Sequence, residues 1–116
     1  MASRIQEKGR KNFFISEITV VELRFGAENS NDPEKAHKAV DDFIKGLSVV
    51  SIFGAINLYA REKVRLRRIG TTINDEFDLL IGVTAVQNNL ILVTDNVRHF
   101  VRIEDIQIEN WYRRVN

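Results

Sequence analysis

An α/β layered domain, with a largely parallel central sheet flanked by helices, is the fold class this sequence predicts. Three observations carry it. Short β-branched runs alternate with segments of helical period, which is the signature of strands joined by helical crossovers. The run LILVT at Leu90 to Thr94 is apolar without alternation, as in a parallel strand covered on both faces. No repeat, low-complexity tract or Pro/Gly-rich linker interrupts the series, so residues 1–116, 13.4 kDa in all, are expected to form a single domain.

Taken in order, the elements follow from local chemistry. Phe13-Phe14-Ile15 is a short apolar run with β character, and Ser16 after it is placed to cap a helix through Thr19, Val20, Leu23 and Ala27. Asn31-Asp32-Pro33-Glu34 starts the next helix, with Asp32 as cap and Pro33 at the first helical position. Ser48 to Phe53, SVVSIF, reads as a second strand. A helix follows with Ile56, Tyr59, Ala60 and Val64 on one face and Gly70 as its stop. Glu76 to Asn88 is apolar almost all round past its first turn, which predicts a helix buried on several sides. After LILVT, Ile106 to Ile108 is expected as a short edge strand.

Composition narrows the chemistry. Hydrophobic residues make up 44% and charged residues 28%, the proportions of an ordinary globular chain rather than a disordered one. With no cysteine, disulfides, thiolate metal sites and cysteine nucleophiles are excluded, which fits a reducing cytoplasm. No apolar segment reaches membrane-spanning length, so no membrane partner is expected. The net charge of +1 is too small to imply nucleic-acid binding by itself, but Arg61, Lys63, Arg65, Arg67 and Arg68 crowd one stretch. That stretch is either an RNA-backbone contact or a solvated helix face. There is no G-x-G-x-x-G, Walker loop or G-x-S-x-G, which argues against dinucleotide, nucleotide triphosphate and serine-hydrolase chemistry.

Ligands of parallel α/β domains collect outside the carboxyl ends of the strands. Glu22, one turn into the first helix, Asp78, opening the buried helix, and Asp95-Asn96, directly after LILVT, all map to that edge. Carboxylates gathered there repel unless a cation lies between them, and a hard divalent ion accepts such oxygens. Each residue also has a structural reading. Glu22 completes a capping-box pattern with Thr19, Asp78 suits the helix dipole, and Asp95-Asn96 is ordinary turn chemistry. His37 is expected to face solvent, and His99 either touches a phosphate or packs beside a loop.

The stretches FISEITVVELRFGAENS and FDLLIGVTAVQNNLILVTDNVRHF and the ending IQIENW resemble those of PIN-domain proteins of the VapC toxin type, from about Phe13 to Trp111. The resemblance implies a PIN-like sheet and an endoribonuclease that uses Mg²⁺ or Mn²⁺. It also implies an RNA substrate, an antitoxin partner, a homodimer and a cytoplasmic location. Carried over by motif, the helix acid of T-V-V-E-L is Glu22 and the acid of F-D-L-L-I-G is Asp78. The position four residues before Phe100 is Asn96, with Asp95 beside it as an alternative and Thr94 as a supporting polar residue.

One departure stands at the N-terminus. The family opens with an apolar strand ending in an aspartate, whereas MASRIQEKGRKN has neither an aspartate nor a β-like run. The resemblance therefore predicts a PIN-like domain whose N-terminal strand is missing, with unpaired backbone where a central strand belongs and a weakened metal site. Two functions remain in view: a metal-dependent endoribonuclease toxin, and a catalytically impaired remnant that retains only antitoxin binding or dimerisation. A receiver-like signalling domain shares the layout but lacks that family's lysine after a strand.

Overall fold

The computed structural model of the chain describes residues 14–73, 75–94 and 96–110. It divides into two compact units, the first ending at Val50 and the second beginning at Ser51. The expectations about Phe13, Asp95, Trp111 and the segment before Phe13 lie outside the described residues.

In the first unit, β1 (Phe14–Ser16) leads straight into helix α1 (Glu17–Glu28). Ser16 makes the transition: it keeps extended backbone while its Oγ accepts from the Ile18 N–H at 3.0 Å, satisfying one of the helix's orphan donors. Helix α2 (Pro33–Ile44) begins as expected, with Asp32 accepting from the Lys35 N–H at 3.2 Å and Pro33 in the first turn. Polar contacts join the two helices. Arg24 of α1 donates to the His37 carbonyl at 3.2 Å and pairs with Asp41, while His37 Nε2 lies 2.9 Å from Glu28. Arginine only donates, so the 3.2 Å contact from Arg24 makes Nδ1 of His37 the acceptor and places the proton on Nε2, toward Glu28. His37, expected to face solvent, is a half-buried bridge between the helices. The pair returns the chain so that β2 (Ser48–Val50) runs parallel to β1, in the register Phe14↔Ser48, Ile15↔Val49 and Ser16↔Val50. Parallel strands need such a crossover.

The strand predicted over Ser48 to Phe53 is shorter than expected. Past Val50 the chain bends, Phe53 donates its N–H to Ser51 Oγ at 3.1 Å, and Phe53–Ala55 form a 3-10 turn. In the second unit, α3 (Ile56–Arg68) ends in a Schellman closure: Thr71 N–H bonds Leu66 O at 2.9 Å, Gly70 N–H bonds Arg67 O at 3.1 Å, and Gly70 has φ +75°. The same device closes α4 (Glu76–Gln87), with Asn89 at φ 54° in the left-handed position.

Helix α4 is the centre of this unit. Four successive residues, Gly82, Val83, Thr84 and Ala85, are buried, and at 100° per residue that covers the whole circumference. Leu79 and Val83 pack with Leu66 of α3 and Ala55, and with Phe100 and Ile103 from beyond the helix. Each of these side chains larger than alanine contributes about 1.5–3 kcal/mol by leaving water. Thr84 is tolerated there because its hydroxyl donates to Leu80 O at 2.7 Å.

The sheet of this unit is a two-residue parallel ladder, β3 (Leu92–Val93) with β4 (Ile108–Glu109). Both strands are shorter than the runs that predicted them, Leu90 to Thr94 and Ile106 to Ile108, and β4 sits one residue further on. Backbone bonds from Leu92 N–H to Gln107 O, 2.8 Å, and from Thr94 N–H to Glu109 O, 3.1 Å, carry the pairing to the edge of the next turn. Between the strands, α5 (Val97–Phe100) is a single helical turn. The expected face of α3 is also corrected. Ile56, Ala60 and Val64 are exposed, while Glu62 and Leu66 are buried. An apolar count along the helix cannot anticipate a charged residue turned inward by its partners.

Candidate functional site

Asp78 sits in the first turn of α4, in a start that Asp75 caps by accepting from Phe77 N–H at 2.9 Å and Asp78 N–H at 3.3 Å. With Asp75 taking the capping role, the Asp78 carboxylate is free for another. Its side chain is only 17% exposed, and Oδ2 lies 3.0 Å from His99 Nδ1. A carboxylate accepts, so Nδ1 carries the proton of that bond, and the His99 side chain is largely exposed.

His99 belongs to α5, and its backbone N–H bonds Asn96 O at 3.0 Å. Asn96 caps this turn with its backbone alone, its side-chain amide making no capping bond. Its N–H is held by Thr94 Oγ1 at 3.0 Å. Thr94 thus holds the backbone of Asn96, and His99 joins Asn96, through its backbone, to Asp78, through its ring. This carboxylate contact is neither of the roles expected for His99, since its partner lies 21 residues away in sequence.

Glu22 lies in the body of α1 and is exposed. Its capping-box reading is corrected: the helix starts at Ser16, so Thr19 is already inside it. Glu22 belongs to the first unit, Asp78, Thr94 and Asn96 to the second. Asp95 lies outside the described residues. Among the described residues, no group of three or more His, Cys, Asp or Glu gathers where a metal ion would sit. The donors that Asp78, Asn96 and Thr94 offer are carboxylate, amide and hydroxyl oxygens, and that chemistry fits a hard divalent ion such as Mg²⁺ or Mn²⁺.

The basic stretch of α3 divides into two groups. Arg61, Arg67 and Arg68 are exposed. Lys63 instead donates to Glu76 at 2.9 Å and to Tyr59 at 3.2 Å. Arg65 forms a two-pronged pair with Glu62, Nε to Oε1 at 2.7 Å and an NH2 contact to Oε2 at 2.6 Å. Those hydrogen bonds from Arg65, with the Glu104 backbone N–H, hold the buried Glu62 carboxyl below its ordinary value of 4.5 against the opposing effect of burial.

A PIN domain is matched over residues 2–106, starting before the Phe13 at which the sequence motifs begin. The chain belongs to the PIN-domain family, in its VapC branch. It is 37% identical over 98 residues to the tRNA(fMet)-specific endonuclease VapC of Salmonella typhimurium, covering 84% of this chain and 74% of that one. Its fold superposes on a DNA-bound VapBC structure from the same species with a TM-score of 0.89 at 34% identity, over 96% of this chain and 83% of the other. VapBC2 from Rickettsia felis, bound to a promoter DNA fragment, gives 0.77 at 31% identity, over 84% and 73%.

Proposed function

We propose that this chain is the ribonuclease toxin of a type II toxin–antitoxin pair, cleaving RNA phosphodiesters with Mg²⁺ or Mn²⁺ in the cytoplasm. The carrying observation is Asp78, a half-buried carboxylate spared from capping by Asp75 and oriented by His99 beside the Thr94–Asn96 turn. Asp78 and Asn96 would hold the metal, with Glu22 and Asp95 as its further ligands and Thr94 in support. A divalent ion bound there supplies Lewis-acid polarisation of the phosphodiester and an activated water. The protein's own part is positional: His99 fixes the Asp78 carboxylate, and Thr94 fixes the backbone from which Asn96 projects.

Support for the substrate and partner comes from relatives. The Salmonella protein is a tRNA(fMet)-specific endonuclease, and the matching structures are VapBC complexes. The match over 2–106 crosses both units, which favours one PIN domain over 1–116. A homodimer has exposed apolar side chains to draw on, among them Phe53, Ile56 and Val64. Among the described residues, no helix is long and apolar enough to cross a membrane.

A second reading is a PIN remnant that keeps antitoxin binding or dimerisation without cleavage. It draws on the lack of a three-residue metal cluster among the described residues. The deciding pair of measurements is RNA cleavage with added Mg²⁺ or Mn²⁺ and thermal melting, on wild type and Asp78→Asn. The toxin reading expects wild-type cleavage that Asp78→Asn removes, with stability changed by no more than about 1 kcal/mol, the scale of a helix-dipole benefit. Cleavage retained by the variant, with a large loss of stability, would assign Asp78 a structural role only. No cleavage by wild type, together with tight antitoxin binding, would establish the remnant.

A further inference from the structure

Glu62 is buried on the inner face of α3, and its two oxygens are fully engaged. Oε1 accepts from Arg65 Nε at 2.7 Å, and Oε2 accepts from an Arg65 NH2 group at 2.6 Å and from the Glu104 backbone N–H at 2.7 Å. Arg65 reaches the same segment from the other side, donating to Arg102 O at 2.7 Å and lying 3.6 Å from Glu104 Oε2. Residues 102–104 are thus gripped by α3 through charged hydrogen bonds, which are directional as well as strong.

That segment comes directly after α5. Phe100, at the end of α5, and Ile103, inside the gripped segment, both enter the core, and Ile103 lies so close to α4 that a Cβ on Gly82 would stand 2.3 Å from its Cδ1. Apolar contact through Phe100 sets how near α5 lies to α4, and the charged hydrogen bonds add a directional restraint that non-directional burial does not supply. A single turn such as α5 cannot fix its own direction, since its internal bonds are few: Val101 N–H to Val97 O at 2.9 Å and His99 N–H to Asn96 O at 3.0 Å.

We propose that Glu62 and Arg65 are positioning residues, whose grip on Arg102 to Glu104 sets the rotation of α5 and so holds the His99 ring on Asp78. This rests on the reading of Asp78 as part of a nuclease site. The hydrogen bonds of Glu62 and Arg65 go to each other and to residues 102 and 104, so their effect would travel through the backbone of residues 100–104.

The test uses Arg65→Lys and Glu62→Gln in the full chain, with three measurements. Imidazole ¹⁵N spectra of the metal-free protein report the His99 Nδ1–H bond to Asp78. Calorimetric titration with Mn²⁺ alone reports the donor geometry. Steady-state cleavage of an initiator tRNA transcript separates kcat from KM. Arg65→Lys keeps the charge and the core but loses the two-pronged bond, so it is expected to fold and to lose the His99 signature. It should weaken Mn²⁺ binding or kcat by about tenfold or more, as outer partners of metal sites do. KM for RNA should stay within about twofold, because no substrate contact is removed. Glu62→Gln should do the same or worse, and Arg65→Lys decides the matter if that variant fails to fold. An unchanged His99 signature and Mn²⁺ affinity in Arg65→Lys would overturn the inference and leave the pair a purely structural clamp. Failure of the wild type to cleave would instead sink the nuclease reading, while the spectra would still decide whether α3 positions His99.

Discussion

The two units are held together by different physics. The second has a closed apolar core, with Leu66, Leu79 and Val83 almost wholly excluded from water. The first buries only Ser16, Ile18 and Ala27 among its described residues, and none along α2. Its helices are joined by the Arg24–Asp41 pair and the His37 bridge, contacts that remain partly in solvent. Apolar burial accumulates with area, whereas an exposed ion pair gives back most of its Coulomb gain in solvation and side-chain entropy. Resistance to opening is therefore expected to concentrate in α4, with the α1–α2 pair as the softer region.

The sharpest way to break this contrast is Leu79→Ala. Removing a side chain 2% exposed at the centre of the core should cost about 2–5 kcal/mol, read as a drop in denaturant midpoint and faster amide exchange throughout α4. A loss under about 1 kcal/mol would show that α4 is not the cooperative centre.

Acid gives an intermediate effect with a definite sign. Glu62 titrates below its ordinary value of 4.5 because Arg65 and the Glu104 N–H favour its charged form. A lowered carboxyl contributes stability that is complete above the unfolded value and declines as pH falls through the folded one. Melting temperatures should thus lose a Glu62-dependent component only below about pH 4.5. Glu62→Gln should flatten that portion of the acid limb, and an unchanged limb would remove Glu62 from the account.

The smallest effect is expected in the first unit. Asp41→Ala should cost about 0.2–1 kcal/mol, shrinking further in high salt, because its pair with Arg24 is largely exposed. A larger, salt-independent loss would mean that the polar stitching carries more of the fold than solvent accessibility implies.

What could be read from sequence was whatever neighbours decide. Ser16, Asp32-Pro33 and Gly70 marked helix ends because caps and stops are set within a few residues, and the unbroken apolar character of α4 announced its burial. Strand ends were overestimated, because β-branched composition in SIF and LILVT does not reveal where pairing stops. The buried face of α3 was misplaced because Glu62 turns inward for a backbone donor 42 residues away. The Asp78–His99 bond was hidden in the same way, although Asp78 itself was legible from its motif. The Asp75 cap is also a local signal, an aspartate directly before α4.

The parallel pairing of β1 with β2 has a kinetic consequence. Its two strands are separated by both α1 and α2, whereas β3 and β4 are separated by one helical turn and a short loop. Closing a long connection costs chain entropy before any ladder bond returns it. Sheet formation at Phe14–Ser16 must therefore wait until the α1–α2 hairpin has shortened the distance between the strands, and mutations that loosen this hairpin should act first on the rate of folding.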